Sequence, residues 1–123
     1  MKHLLLVFIG GGVGSSMRFL LAKYLNNTTT GIPWGTFTAN IVGSLLIGII
    51  LGLAAKNDTL SQDQTLLLAT GFCGGFTTFS TFAYENHLFL KSGDFTNFAL
   101  YTIGSFIVGF LVVFLGMFLV KSV

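Results

Sequence analysis

The chain has 123 residues, 53% of them hydrophobic and 8% charged, with a formal net charge of +2. Soluble domains carry about 25% charged residues, so this balance excludes an ordinary soluble domain and reads as an integral membrane protein. The net charge is too small and scattered to hold nucleic acid, and the single cysteine, Cys73, excludes an internal disulfide or a cysteine-rich metal site.

A membrane-crossing helix needs about 20 mostly apolar residues, and four stretches qualify. The first is predicted over about 4–25, and the polar turn Asn26-Asn27-Thr28-Thr29-Thr30-Gly31 ends it. Its start, Met1-Lys2-His3 and an apolar run, has the outline of a signal peptide. No small-residue cleavage site in a polar region follows, so it reads as a span. Gly10, Gly14 and Arg18 recur every four residues and share one helix face, where glycines permit close helix approach. An arginine in hydrocarbon is costly unless it snorkels or finds a partner. Arg18 therefore either snorkels to the headgroups near Lys23 or supplies an anion-attracting or structure-fixing charge; the small-residue face favours the second.

The second span, about 34–55, starts after Pro33 and closes at Lys56-Asn57-Asp58. Thr36, Asn40, Ser44 and Gly48 share one of its faces. Asn40 reads either as an interhelical hydrogen bond worth about 1 kcal/mol or as a pore-lining donor; helix physics alone favours the first. The third span, about 62–90, contains Gly71-Phe72-Cys73-Gly74-Gly75-Phe76-Thr77-Thr78-Phe79-Ser80-Thr81-Phe82. Adjacent glycines weaken a helix and the hydroxyls compete for its backbone, so a break is expected here. Backbone freed at bilayer depth must be buried in protein, line a cavity or hold an ion. Phe76, Phe79 and Phe82 bring ring edges to the same place. The fourth span, about 95–120, carries Tyr101 and Ser105 one turn apart, either a hydroxyl ladder for an ion or simple helix contacts. Phe106, Phe110, Phe114 and Phe118 form a separate row, read as lipid-facing or packing surface.

The expected fold is all-α: one transmembrane domain over 1–123, four helices with the third broken mid-membrane, and short loops that make neighbours antiparallel. Both termini then share one side, with Lys2, Lys56 and Lys121 there and Lys23 and Lys91 opposite. An excess of one positive charge barely selects an orientation. Either context resolves it, or the protein inserts both ways and pairs antiparallel. No catalytic constellation is present. No span pairs carboxylates, Glu85 and His87 lack the spacing of a zinc hydrolase, Ser80 has no histidine or lysine close in sequence, and there is no phosphate loop. The chain does not read as an enzyme.

Three runs together resemble the Fluc (CrcB) family of fluoride channels: Gly71 to Phe82, Gly35-Thr36…Asn40-Ile41-Val42-Gly43-Ser44, and Gly14…Arg18-Phe19. The likeness extends over all four spans. It implies an antiparallel, dual-topology homodimer in a bacterial cytoplasmic (inner) membrane, with two fluoride pathways per dimer. It also implies a structural sodium ion at the dimer centre, held by the carbonyls of Gly74 and Thr77 from both subunits. By the same likeness, the ring edges of Phe79 and Phe82 line the fluoride path and Asn40 donates to the ion. Thr36, Ser80, Tyr101 and Ser105 belong to its polar track, Glu85 lies near one pore end, and Arg18 is a vestibule or structural charge. Where some relatives are expected to carry a further hydroxyl one turn past Ser105, this chain has Gly109, which implies a track that is either shorter or finished by backbone and water.

The activity implied is passive, selective exit of fluoride down its electrochemical gradient, which protects the cell from fluoride. The partners implied are fluoride, a second copy of the chain and lipid, with no nucleic acid. Fluoride is small and strongly hydrated, so such a pore must replace its water with amide and hydroxyl donors and positive ring edges. Binding must stay weak enough for release. The alternative is a small dual-topology, proton-coupled multidrug exporter. That class needs an acid in its first span, and this first span has none.

Overall fold

A computed structural model describes residues 1–26, 31–56 and 59–123. Asn27 to Thr30 of the turn after the first span, and Asn57 and Asp58 after the second, lie outside the described residues. Three crossings are continuous helices: α1 (Lys2–Leu25), α2 (Trp34–Ala55) and α6 (Phe95–Ser122). The other is built of pieces: α3 (Gln62–Thr65), a π-helical stretch (Leu66–Cys73), α4 (Gly74–Phe76) and α5 (Phe79–Ser92). Lys2–Leu25, Trp34–Ala55, Gln62–Ser92 and Phe95–Ser122 are each long and apolar enough to cross a membrane.

Local chemistry sets the helix ends. Ser61 and Gln64 form a capping box at the start of α3. Gly93, at φ 78°, ends α5 in the left-handed conformation that favours glycine. Asp94 Oδ1 then accepts the Asn97 N–H at 3.1 Å and caps α6. At one end of the bundle Lys2 meets Asp63 at 2.9 Å, and Lys56 Nζ donates to Val120 O at 3.0 Å. At the other end Asn26 pairs with Pro33. Neighbouring crossings therefore run antiparallel.

The helices pack in two tight pairs. α1 lies on the π-helical stretch and α4, and α2 lies along α6. A Cβ at Gly10 would strike Leu67 O, and one at Gly14 would strike Phe72 O. Backbone meets backbone along this seam, which maximises van der Waals contact where lipid offers no hydrophobic drive. Two small apolar clusters fill the interior, Ile50–Ala69–Cys73 and Phe82–Phe89–Tyr101. Most large apolar side chains face outward, among them Phe114 and Phe118, a surface suited to lipid.

The third crossing breaks inside the expected Gly71–Phe82 run, at its threonines rather than at its glycines. Gly74 keeps helical angles (φ −61°, ψ −38°), so the adjacent glycines do not themselves interrupt the helix. The missing side chain of Gly75 instead admits α1, since a Cβ there would strike Gly11 O. The extended residues are Thr77 (φ −88°, ψ 156°) and Thr78 (φ −151°, ψ 123°). Their hydroxyls supply the competing bonds. Thr77 Oγ1 donates to Cys73 O at 2.9 Å, and Thr78 Oγ1 accepts the Thr81 N–H at 3.2 Å and caps α5.

Candidate functional site

The break would leave the Thr78 peptide groups without helical partners, and α2 provides them. Asn40 Oδ1 accepts the Thr78 N–H at 2.7 Å, and Asn40 Nδ2 donates to Thr78 O at 3.2 Å. An amide NH₂ carries two donors, and Thr78 O uses one of them. The interhelical bond is therefore present, and it leaves an N–H for the cleft that Asn40 lines. That cleft holds about 400 Å³ between α2, the broken crossing and α6. Phe79, Phe82, Ser105 and Gly109 also line it. Residues not singled out for a site line it as well, among them Thr78, Phe106 and Phe110.

Phe82 connects this cleft to a second polar cluster. Its ring is 5.0 Å from the Tyr101 ring and 5.9 Å from those of Phe79 and Phe106, centroid to centroid. Behind it, Glu85 receives two short hydrogen bonds. Thr36 Oγ1 donates to Oε2 and Tyr101 OH donates to Oε1, each at 2.7 Å. Thr36 and Tyr101 are almost wholly buried, at 1% and 2% exposure. Glu85 also lines a second cavity of about 700 Å³ that opens beside Asn26, Phe89, Lys91 and Asp94. Polar groups are thus stepped along the molecule: Asn40 and Ser105 on one side of Phe82, Tyr101, Thr36 and Glu85 on the other.

Of the remaining residues nominated from the sequence, Arg18 and Ser80 fall outside these two cavities, and Gly74 and Thr77 line the first. Arg18 Nε donates to Gly75 O at 3.1 Å, joined there by Ser15 Oγ at 3.3 Å. Of the readings open for Arg18, this contact is the structure-fixing one. Ser80 stands exposed with its hydroxyl 3.3 Å from that of Thr78, outside the residues that line the cleft. Gly74 lines the cleft and is exposed on its surface, and Thr77 lines it beside Gly74. Asn26 went unread as a site residue, although its amide reaches Thr36 across the turn. Nothing in periodicity signals a contact of that kind. The Tyr101–Ser105 pair serves two environments, Tyr101 facing Glu85 and Ser105 facing the cleft.

The family described as "CrcB-like protein, Camphor Resistance (CrcB)" matches residues 5–117. Among similar curated proteins, the fluoride-specific ion channel FluC of Gloeothece citriformis is 50% identical over 122 residues, covering 98% of each chain. The protein of the same name from Phocaeicola vulgatus is 48% identical over 120 residues, covering 97% of this chain and 98% of its own. That of Chlorobaculum tepidum is 46% identical over 121 residues, covering 98% and 96%.

Proposed function

Because this chain belongs to the CrcB family, we propose that it is a passive, selective fluoride channel that lets fluoride leave the cell down its electrochemical gradient. The observation that carries the reading is the pair of polar stations joined across Phe82, Asn40 and Ser105 before it and Thr36, Tyr101 and Glu85 behind it. Fluoride must shed water to enter, and here the remaining Asn40 N–H, the Ser105 hydroxyl and phenyl edges replace that water, while the hydroxyls of Thr36 and Tyr101 donate to Glu85. The rings of Phe79 and Phe82 carry the ion between hydrogen-bonding stations, and their weak hold lets it move on. A cell interior negative to the outside drives anions out by about 2.3 kcal/mol per charge per 100 mV. No fuel and no catalytic step are needed. The multidrug-exporter alternative is not favoured, since α1 contains no Asp or Glu.

The finer reading is an antiparallel, dual-topology homodimer in the bacterial cytoplasmic membrane, with the third crossing broken at mid-bilayer. It is supported by what the single chain leaves open. Phe79 is 72% exposed, Gly74 is exposed, and both border the extended Thr77–Thr78 backbone. Lipid cannot satisfy backbone of that kind, and a second copy lying over the break would cover it. The carbonyls of Gly74 and Thr77 suit a sodium ion there. Among the described residues, no hydrogen bond made outside the regular helices reaches either carbonyl. Hard carbonyl oxygens from two subunits would hold the ion, and its charge would favour anions nearby.

The test is flux from liposomes reconstituted with the protein, followed with fluoride and chloride electrodes. Fluoride efflux without chloride efflux is the expected result. Absence of fluoride flux, or chloride flux equal to it, overturns the reading.

A further inference from the structure

We propose that Asn26 is a positioning residue for the Glu85 cluster, fixing the direction in which the Thr36 hydroxyl sends its proton. The assignment follows from donor and acceptor chemistry. One end of the Asn26 amide faces two backbone N–H groups, Gly35 at 2.6 Å and Thr36 at 3.2 Å. Both are donors, so that end is the oxygen. The other end is then the NH₂, and it lies 3.3 Å from Thr36 Oγ1. The hydroxyl must accept from Asn26, which leaves its only proton for Glu85 Oε2 at 2.7 Å. Tyr101 independently supplies the bond to Oε1. A carboxylate at Glu85 accepts both.

Asn26 is itself held in place for this task. Its backbone N–H donates to Ala22 O at 3.0 Å as α1 ends, and it pairs with Pro33 just before α2 begins. A Cβ at Gly35 would lie 2.5 Å from Leu21 O and 2.7 Å from Asn26 Oδ1, so the bare backbone of Gly35 admits both the end of α1 and the amide. Asn26 also lines the cavity that Glu85 borders. It caps the start of α2 and orients the cluster with one amide. The capping half is an ordinary structural role, and the test must separate the two.

Asn26→Asp makes the separation. It keeps oxygen acceptors for the Gly35 and Thr36 N–H groups but removes the donor to Thr36, whose proton is then drawn to the new carboxylate. Infrared spectra of the purified full-length protein report the Glu85 carboxyl band, identified in each background by its loss in Glu85→Gln. The expected result is that Asn26→Asp and Thr36→Val displace this band in the same direction, and that the double variant displaces it no further. A Glu85 band left in place by Asn26→Asp, or unmoved by Thr36→Val, overturns the proposal. The second arm rests on the fluoride-channel reading. In liposomes, Asn26→Ala is expected to slow fluoride efflux by about tenfold in the wild-type background and by less than about twofold in the Thr36→Val background. Equal slowing in both backgrounds leaves Asn26 as a cap alone and overturns the proposal. A wild-type protein that passes no fluoride defeats the channel reading, and the infrared arm still decides the role of Asn26.

Discussion

At Asn40 a single side chain satisfies both backbone polar groups of Thr78, accepting its N–H at 2.7 Å and donating to its carbonyl at 3.2 Å. Asn40→Asp retains the acceptor and exchanges the donor for a negative charge. Thr78 O then loses its partner, which costs about 1–3 kcal/mol, and a passing anion meets like charge in the cleft. Fluoride efflux from liposomes is expected to fall by more than about tenfold, with a lower melting temperature in detergent. Unimpaired efflux would remove Asn40 from the pathway. Phe82 tests the other half of the same idea. It is 7% exposed and touches both polar stations, so Phe82→Ile retains apolar bulk while deleting the positive ring edge. Efflux should fall with no change in gel-filtration volume, whereas a shift to smaller assemblies would make Phe82 structural.

At the scale of elements, the seam of α1 against the broken crossing gives a sharp contrast within one helix. Gly14 and Gly12 are two residues apart on α1. A Cβ at Gly14 would strike Phe72 O, while one at Gly12 meets nothing within 4 Å. Gly14→Ala must push α1 off the π-helical stretch and should destabilise the protein by about 1–3 kcal/mol. Gly12→Ala meets no obstacle and gains helix propensity of up to about 1 kcal/mol. Thermal unfolding in detergent separates them, and equal melting temperatures would mean that the seam gives under a methyl group. The Gly10–Gly14 face was legible because its spacing is helical and the residues are small. The four apolar crossings were legible for the same reason, length and composition being enough. The π-helical turns of Leu66–Cys73 were not. α1 packs directly against them, a tertiary fact that no local pattern carries. The break was legible in kind and in place, within Gly71–Phe82, because threonine hydroxyls compete for backbone; Gly71 and Gly75 read locally as helix breakers too, yet they stay helical where α1 packs on them. Asn26 was illegible as a site residue because its amide serves Gly35 and Thr36 across a turn.

For the whole molecule, charge selects an orientation only weakly. Lys2, Lys56 and Lys121 sit at one end and Lys23 and Lys91 at the other, so the Lys/Arg rule is nearly balanced. A dual-topology protein requires that balance, because a strong bias would fix one orientation. The protein carries a convenient means of asking. Its only cysteine, Cys73, is 1% exposed and out of reach of a bulky reagent, so an added surface cysteine reports alone. Ser122 at the end of α6 and Ser92 at the end of α5 are both exposed and lie at opposite ends of the bundle. In intact cells treated with a membrane-impermeant maleimide, Ser122→Cys and Ser92→Cys should each label to about half of the value reached after lysis, since each orientation presents one site outward. A single orientation predicts full labelling of one variant and none of the other. That outcome would exclude an antiparallel pair, because two chains inserted the same way cannot bring their third crossings together in opposite directions.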